Sequence, residues 1–128
     1  MIQVKKIIYT PADIFAMFGA PQEILPIPSA GKTNVILGIS HKLIFNTAAY
    51  TGATEILYVS GSNLNAAFMK DTNSLSFINN RNTSISKTDA MATVFSTDQS
   101  VRITVNALAA TGDSNIEAQI IYEEKTLV

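Results

Sequence analysis

The stretch that decides the fold is "VRITVNALAATGDSNIEAQIIYEE", Val101 to Glu124. Apolar and polar residues alternate from Val101 to Val105 and again from Ile116 to Tyr122. A period of two predicts half-buried β-strands, and the small polar residues Thr111 to Ser114 tolerate a tight turn between them. We therefore predict an antiparallel hairpin with one buried face. Its predicted core residues are Val101, Ile103, Val105, Ile120 and Tyr122, and Thr104 is predicted on the solvent face.

Further strands are predicted on the N-terminal side of this hairpin. The longest runs from Thr33 to Phe45, with Val35, Leu37 and Ile39 on one face and Asn34 on the other. Gly38 permits a bulge or bend within it. The remaining strand candidates are "IQVKKIIY" near the N-terminus, where the alternation is imperfect, "TEILYVS" from Thr54 to Ser60, and "ATVFS" near Val94.

Helix is predicted only for "ADIFAMF", Ala12 to Phe18, as one or two turns. Many short strands with turn signals between them favour a sandwich or jelly roll. The prediction is an all-β, single-domain, jelly-roll-like β-sandwich over residues 1–128 with one short N-terminal helical turn. Residues 1–28 are a candidate attachment segment.

The composition excludes several classes of function. Charged residues make up 15% of the chain, against roughly 25% in ordinary soluble domains, so its surface is easily desolvated against a protein partner. The net charge of −1 predicts no nucleic-acid binding. Without cysteine there is no disulfide or thiolate metal site. No apolar run reaches the roughly 18 residues of a membrane span, and Pro11 and Asp13 interrupt any secretion signal, so we expect a soluble chain made in a cytoplasm.

The tripeptide Gly31-Lys32-Thr33 is shared with nucleotide-binding loops. Such a loop needs a glycine where this chain has Pro26, which has no N–H to offer to a phosphate. It also needs a helix after the loop, and here a strand is predicted. We therefore expect a turn that enters a strand, with no cofactor.

No catalytic or metal site is predicted. His41 lies on the apolar face of its strand, which favours a hydrogen-bonded structural or interface histidine, since no nucleophile elbow or neighbouring acid marks a triad. Glu117 and Glu123 share a face but lie roughly 20 Å apart along one strand, too far to act on one bond. Asp71 and Asn73 begin a poor match to a calcium loop. The chain is predicted not to be an enzyme.

Protein contacts are the predicted alternative. Phe15 and Phe18 can contribute to core or interface packing from the helical turn. The polar segment from Asp71 to Asp89 is the predicted region to reach across to a neighbouring subunit. The candidate interface residues are Phe15, Phe18, Lys32, His41, Phe77, Asn80 and Arg81.

The order of three segments carries a family resemblance. These are the Pro-rich approach "PIPSAGKTNVI", a long strand ending before "AAYTG", and the closing "ALAATGDSNIEAQIIYE". The chain resembles small virion proteins of tailed bacteriophages, of the head-fibre and capsid-decoration type, and related domains of phage receptor-binding proteins. The resemblance implies a compact β-sandwich, commonly trimeric, that attaches to a capsid or tail without catalytic activity. In such proteins the Gly-Lys segment leads into a core strand, with Lys32 at the surface or an interface.

The same resemblance implies location in the virion after synthesis in the host bacterial cytoplasm. The implied partners are the chain itself, as a homotrimer, and capsid or tail proteins, with a host surface glycan as a further candidate. The stretch "MIQVKKIIYTPADIFAMFGAP" lacks the long coiled or fibrous anchor of many fibre proteins, which favours a decoration subunit seated directly on the shell. The alternative is a carbohydrate- or receptor-binding module of a phage tail. The absence of tryptophan and the presence of only four tyrosines count against that alternative.

Overall fold

The computed structural model describes residues 2–60, 67–71, 75, 81–86, 94–96 and 100–126. Within them lie one short helix and nine strands. In chain order these are β1 (Ile2–Tyr9), α1 (Pro11–Met17), β2 (Gln22–Leu25), β3 (Lys32–Ile44), β4 (Ile56–Ser60), β5 (Ala67–Asp71), β6 (Arg81–Ser86), β7 (Val94–Ser96), β8 (Val101–Val105) and β9 (Asn115–Thr126).

The strands form two antiparallel sheets. The five-stranded sheet has the order β1-β9-β3-β6, with β7 also paired to β3, and the four-stranded sheet has the order β2-β8-β4-β5. Side chains from both sheets fill one core, among them Ile36 and Ile120 from the first sheet and Tyr58 and Ile103 from the second. The predicted all-β fold with one short helix is confirmed. The predicted core positions on β8 and β9 are also confirmed, with Tyr122 partly buried against the core.

The predicted hairpin between the last two strands is wrong. β8 pairs with β2 and β4, whereas β9 pairs with β1 and β3, so the two strands lie in different sheets. The segment between them crosses the end of the sandwich, where Thr51 and Thr111 form an isolated bridge. Alternation shows that each strand has one face on a core, and it does not identify the strand's partner.

A bulge in β3 changes which residues face the core. The pairing of β3 with β9 shifts register between Ile36 and Gly38, so Leu37 is the extra residue. The predicted bend at Gly38 is confirmed, but the predicted faces N-terminal to it are reversed. Ile36 joins Ile39 in the core, and Asn34, predicted on the opposite face, points inward with them.

Helix α1 covers the second face of β8. Thr10 caps the helix and forms a capping box with Asp13, while Pro11 occupies the first turn. Ile14 and Met17 are fully buried. The hydroxyl of Thr104 donates a hydrogen bond to the Met17 carbonyl over 2.7 Å. The predicted solvent position of Thr104 is therefore wrong, because the helix shields that face and leaves the residue 0% exposed.

Candidate interaction surface

Strand β1 forms one edge of the five-stranded sheet. It pairs with β9 without interruption from Ile2 to Tyr9. Within the described residues β1 has no second strand partner, so its outer backbone N–H and C=O groups are open to another chain. Tyr9 fixes the end of the strand, because its ring is buried and its hydroxyl donates to the Glu23 carbonyl over 3.0 Å. A long, regular and accessible edge is a typical site of strand association.

The outward face of this edge is apolar. Ile2, Val4 and Ile8 are 61%, 57% and 53% exposed, and Ile121, opposite Val4 on β9, is 36% exposed. Side chains two residues apart on a strand share a face, and paired residues lie side by side, so Ile2, Val4 and Ile121 are neighbours. Ile8 lies on the same side of the strand, beyond Lys6. We call these four residues the β1–β9 face. Exposed apolar groups gathered in this way are typical of protein contacts.

Two lysines lie in the middle of β1. Lys6 belongs to the outward side of the strand, and its Nζ lies 3.5 Å from Oε1 of Glu117 on β9. Lys5 points to the other side, in register with Ile120. Both side chains of the Lys6–Glu117 pair are partly exposed, so the pair contributes little to stability. The outward side of β1 and β9 therefore carries the Lys6–Glu117 ion pair beside the apolar residues of the β1–β9 face.

The two predicted aromatic interface residues differ in their surroundings. The Phe15 ring packs edge-on against Tyr50, with centroids 5.9 Å apart and an interplanar angle of 68°, and it is partly buried. Phe18 follows the helix and is 39% exposed. Phe15 therefore contributes to internal packing, and Phe18 remains accessible to a partner.

Lys32 begins β3 directly after a turn. Gly31 has a φ of 77°, which favours glycine, and the Lys32 N–H donates to the Ser29 carbonyl over 3.0 Å. The predicted turn that enters a strand is confirmed. Lys32 Nζ lies 3.4 Å from Oε1 of Glu124, and both side chains are partly exposed. The lysine is at the surface, paired with an acid.

His41 joins the two sheets. Its ring is 3% exposed, and its Nδ1 lies 2.8 Å from the Tyr58 hydroxyl of β4, within hydrogen-bond distance. The two rings are also stacked, with centroids 5.9 Å apart. In the single chain, His41 is thus a buried structural histidine. His41 is also among the candidate interface residues predicted from the sequence, and a direct contact of His41 with another chain remains a prediction.

The other predicted contact residues lie outside what the structure describes in full. Phe77 and Asn80 fall outside the described residues. Arg81 begins β6, which pairs with β3 at the sheet edge opposite β1. Their roles in an interface remain predictions.

A loop clamp closes one end of the sandwich. The Asp113 carboxylate accepts hydrogen bonds from the Thr47 hydroxyl, from the Thr47 and Ala48 backbone N–H groups, and from the Asn46 amide. These bonds, led by the one from the Thr47 hydroxyl, hold the pKa of Asp113 below its ordinary value. Burial, with a smaller contribution from Asp113, raises the pKa of Tyr50 to about 12. The clamp is exposed and structural.

Across the described part of the chain, no group of three or more His, Asp or Glu side chains is arranged to hold a metal ion. The described part also contains no helix with the length and apolar character to cross a membrane.

Sequence reasoning missed the β1–β9 face. Its signal was the imperfect alternation of "IQVKKIIY", in which both faces carry apolar residues. The inward Ile7 and Tyr9 pack on the core, and the outward Ile2, Val4 and Ile8 do not. Because both faces of the strand carry apolar residues, its outward face is a candidate contact surface for a partner.

Comparison with known proteins gives similarity by fold, to solved structures. No protein-family model matches the chain, and no curated protein matches it by sequence. The fold is similar to that of a chain in the solved structure of the cyanophage Pam1 capsid asymmetric unit, with a TM-score of 0.52 and 17% sequence identity. The match covers 100% of this chain and 84% of that chain. At this identity the similarity shows a shared fold.

Proposed function

We propose that this chain is a non-enzymatic structural protein of a bacteriophage virion. In this proposal it decorates the capsid or forms part of a head fibre, through self-association and binding to the shell. The observation that carries the proposal is the fold similarity along the whole chain to a component of a phage capsid asymmetric unit. The β1–β9 face supports it, because a shell subunit works by contact with other proteins.

The partner of the β1 edge in this proposal is a shell protein rather than a second β1 strand. Two copies of β1 can pair antiparallel about a two-fold axis so that the same side of each strand faces outward. Within Ile2–Tyr9, two registers of this kind pair the largest number of residues. One places Lys5 opposite Lys5, and the other places Lys6 opposite Lys6. Like charges directly opposite each other destabilise a strand pair, so β1 disfavours its own copy.

Self-association as a homotrimer is compatible with this restriction. A three-fold assembly joins two different surfaces of the chain, so no strand needs to pair with itself. Residues 1–28 then serve as the attachment segment, because they supply β1 and the accessible Phe18. The trimer and the attachment are both parts of the proposal.

A binding experiment with surface variants tests the proposal. Shells purified from the phage that encodes the chain, stripped of it, are mixed with wild-type protein or with Val4→Ser or Ile8→Ser and sedimented. The matched control is Leu108→Ser, since Leu108 is 65% exposed and lies between β8 and β9, away from the β1–β9 face. All three sites are exposed, so melting temperatures should stay close to the wild-type value.

We expect the wild type and Leu108→Ser to sediment with the shells and the two β1 variants to remain in solution. Light scattering on the wild-type chain should show a mass of three subunits. A monomeric protein that neither binds shells nor occurs in purified particles would contradict the proposal.

A further inference from the structure

A cavity of about 240 Å³ opens at the end of the sandwich near β2. The segment Pro26–Ser29 forms one wall, and Gln3, Asn34, Tyr122 and Glu124 form the floor and the opposite wall. These four come from the three adjacent strands β1, β3 and β9, on the inward side of the sheet. The cavity therefore lies between the inward side of the sheet and the Pro26–Ser29 segment, and it is distinct from the outward β1–β9 face.

Asn34 is the unusual member of this lining. The residue is only 4% exposed, yet it is one of the residues that line the cavity. Within the described residues its amide makes no hydrogen bond, whereas every fully buried side-chain nitrogen or oxygen there has a partner. The unpartnered amide atoms therefore keep some solvent-accessible surface, at a residue that borders the cavity. An amide taken out of bulk water without a partner costs free energy, and a ligand with hydroxyl groups would restore both of its hydrogen-bonding functions.

The other groups indicate the chemical class of the ligand. The Tyr122 hydroxyl donates to Oε1 of Gln3 over 3.0 Å, which leaves the amide NH₂ of Gln3 as a donor. Among the described lining residues the one carboxylate is that of Glu124, and it is paired with Lys32, so these residues supply no uncompensated charge to attract an ion. Leu25, Pro28 and the Tyr122 ring add apolar surface. Amides combined with an aromatic ring and no net charge suit an uncharged molecule with hydroxyl groups and a C–H face.

The volume limits the ligand's size. A cavity of about 240 Å³ holds about eight waters and is smaller than the sites of drug-sized ligands. We infer that this end cavity binds one uncharged sugar unit, with Asn34 and Gln3 bonding its hydroxyls and Tyr122 contacting its C–H groups. The inference goes beyond the proposed virion role and does not depend on it.

The test is a ligand-observed NMR titration of the purified chain with glucose, galactose and N-acetylglucosamine. Saturation transfer from the protein to at least one of these sugars is expected. Asn34→Leu keeps a similar side-chain volume without the amide and should weaken the binding about tenfold. Gln3→Ala should weaken it in the same direction. Gln119→Ala is the matched control, because Gln119 lies on β9 opposite Lys6, on the outward side, and should bind like the wild type.

Thermal melting confirms that each variant is folded. If Asn34→Leu fails to fold, the exposed edge position of Gln3 keeps the test decisive through Gln3→Ala. Absence of saturation transfer from all three sugars, or equal binding by wild type and the cavity variants, would overturn the inference. Salt-sensitive binding of methylammonium in place of the sugars would also overturn it, and would assign the cavity to a cationic side chain of a protein partner. Loss of shell binding with sugar binding retained would count against the virion role alone.

Discussion

Replacement of Thr104 by valine tests the contact between helix α1 and the second sheet. The hydroxyl is fully buried and donates to the Met17 carbonyl at the end of the helix over 2.7 Å. Valine keeps the shape but leaves that carbonyl without this donor, which costs about 1 to 3 kcal/mol. The added methyl group returns up to about 0.8 kcal/mol through burial. The net loss of unfolding free energy should be about 0.2 to 2 kcal/mol, with a central value near 1 kcal/mol, which corresponds to roughly 4 °C in melting temperature for a chain of this size.

Urea denaturation followed by circular dichroism measures this loss. The control is Thr126→Val, at the exposed end of β9, which should change the unfolding free energy by less than about 0.5 kcal/mol. If Thr104→Val is as stable as Thr126→Val, the hydroxyl does not hold the helix to the sheet. The account of α1 as a cover for β8 would then be refuted.

Three further predictions concern the core and the loop clamp. Ile103→Ala should lower the unfolding free energy by about 2 to 5 kcal/mol, because Ile103 is fully buried between the sheets. A loss below about 1 kcal/mol in a urea titration would contradict its core position. Gly112→Ala should lower the melting temperature strongly, because Gly112 has a φ of 133° and a Cβ there would overlap the Tyr50 ring. A melting temperature equal to that of the wild type would show that the loop has a different conformation. Hydrogen bonding lowers the pKa of Asp113 from 3.8, so its contribution to stability is present above pH 3.8 and disappears as the pH falls through the folded-state value. Asp113→Asn should therefore be less stable than the wild type at neutral pH, with a difference that narrows in acid; a difference independent of pH would contradict the clamp.

Local patterns predicted where the strands lie and the core-facing residues of β8 and β9, because period-two alternation follows directly from one-sided burial. Val101, Ile103, Val105 and Ile120 are in the core as expected. The same patterns failed for Thr104, since a seven-residue helix that is distant in sequence covers its side of the strand. They also failed to identify strand partners, because pairing depends on contacts far apart in the chain.

The candidate sites were less accessible to sequence reasoning. The β1–β9 face depends on β1 being an edge strand, a fact of topology that no local pattern contains. The end cavity depends on the bulge at Leu37, which turns Asn34 inward, whereas simple alternation places it with the outward residues. By contrast, the turn before Lys32 was predictable because Pro26 restricts the backbone locally and Gly31 permits the positive φ that the turn requires.

The measurement that tests the central claim most directly is a cryo-EM map of the phage particles proposed to contain this chain. The account predicts density for the two-sheet fold on the particle, with Ile2, Val4, Ile8 and Ile121 covered by a neighbouring shell protein. Particles that lack this density, or a bound chain whose β1–β9 face is turned to solvent, would contradict the account.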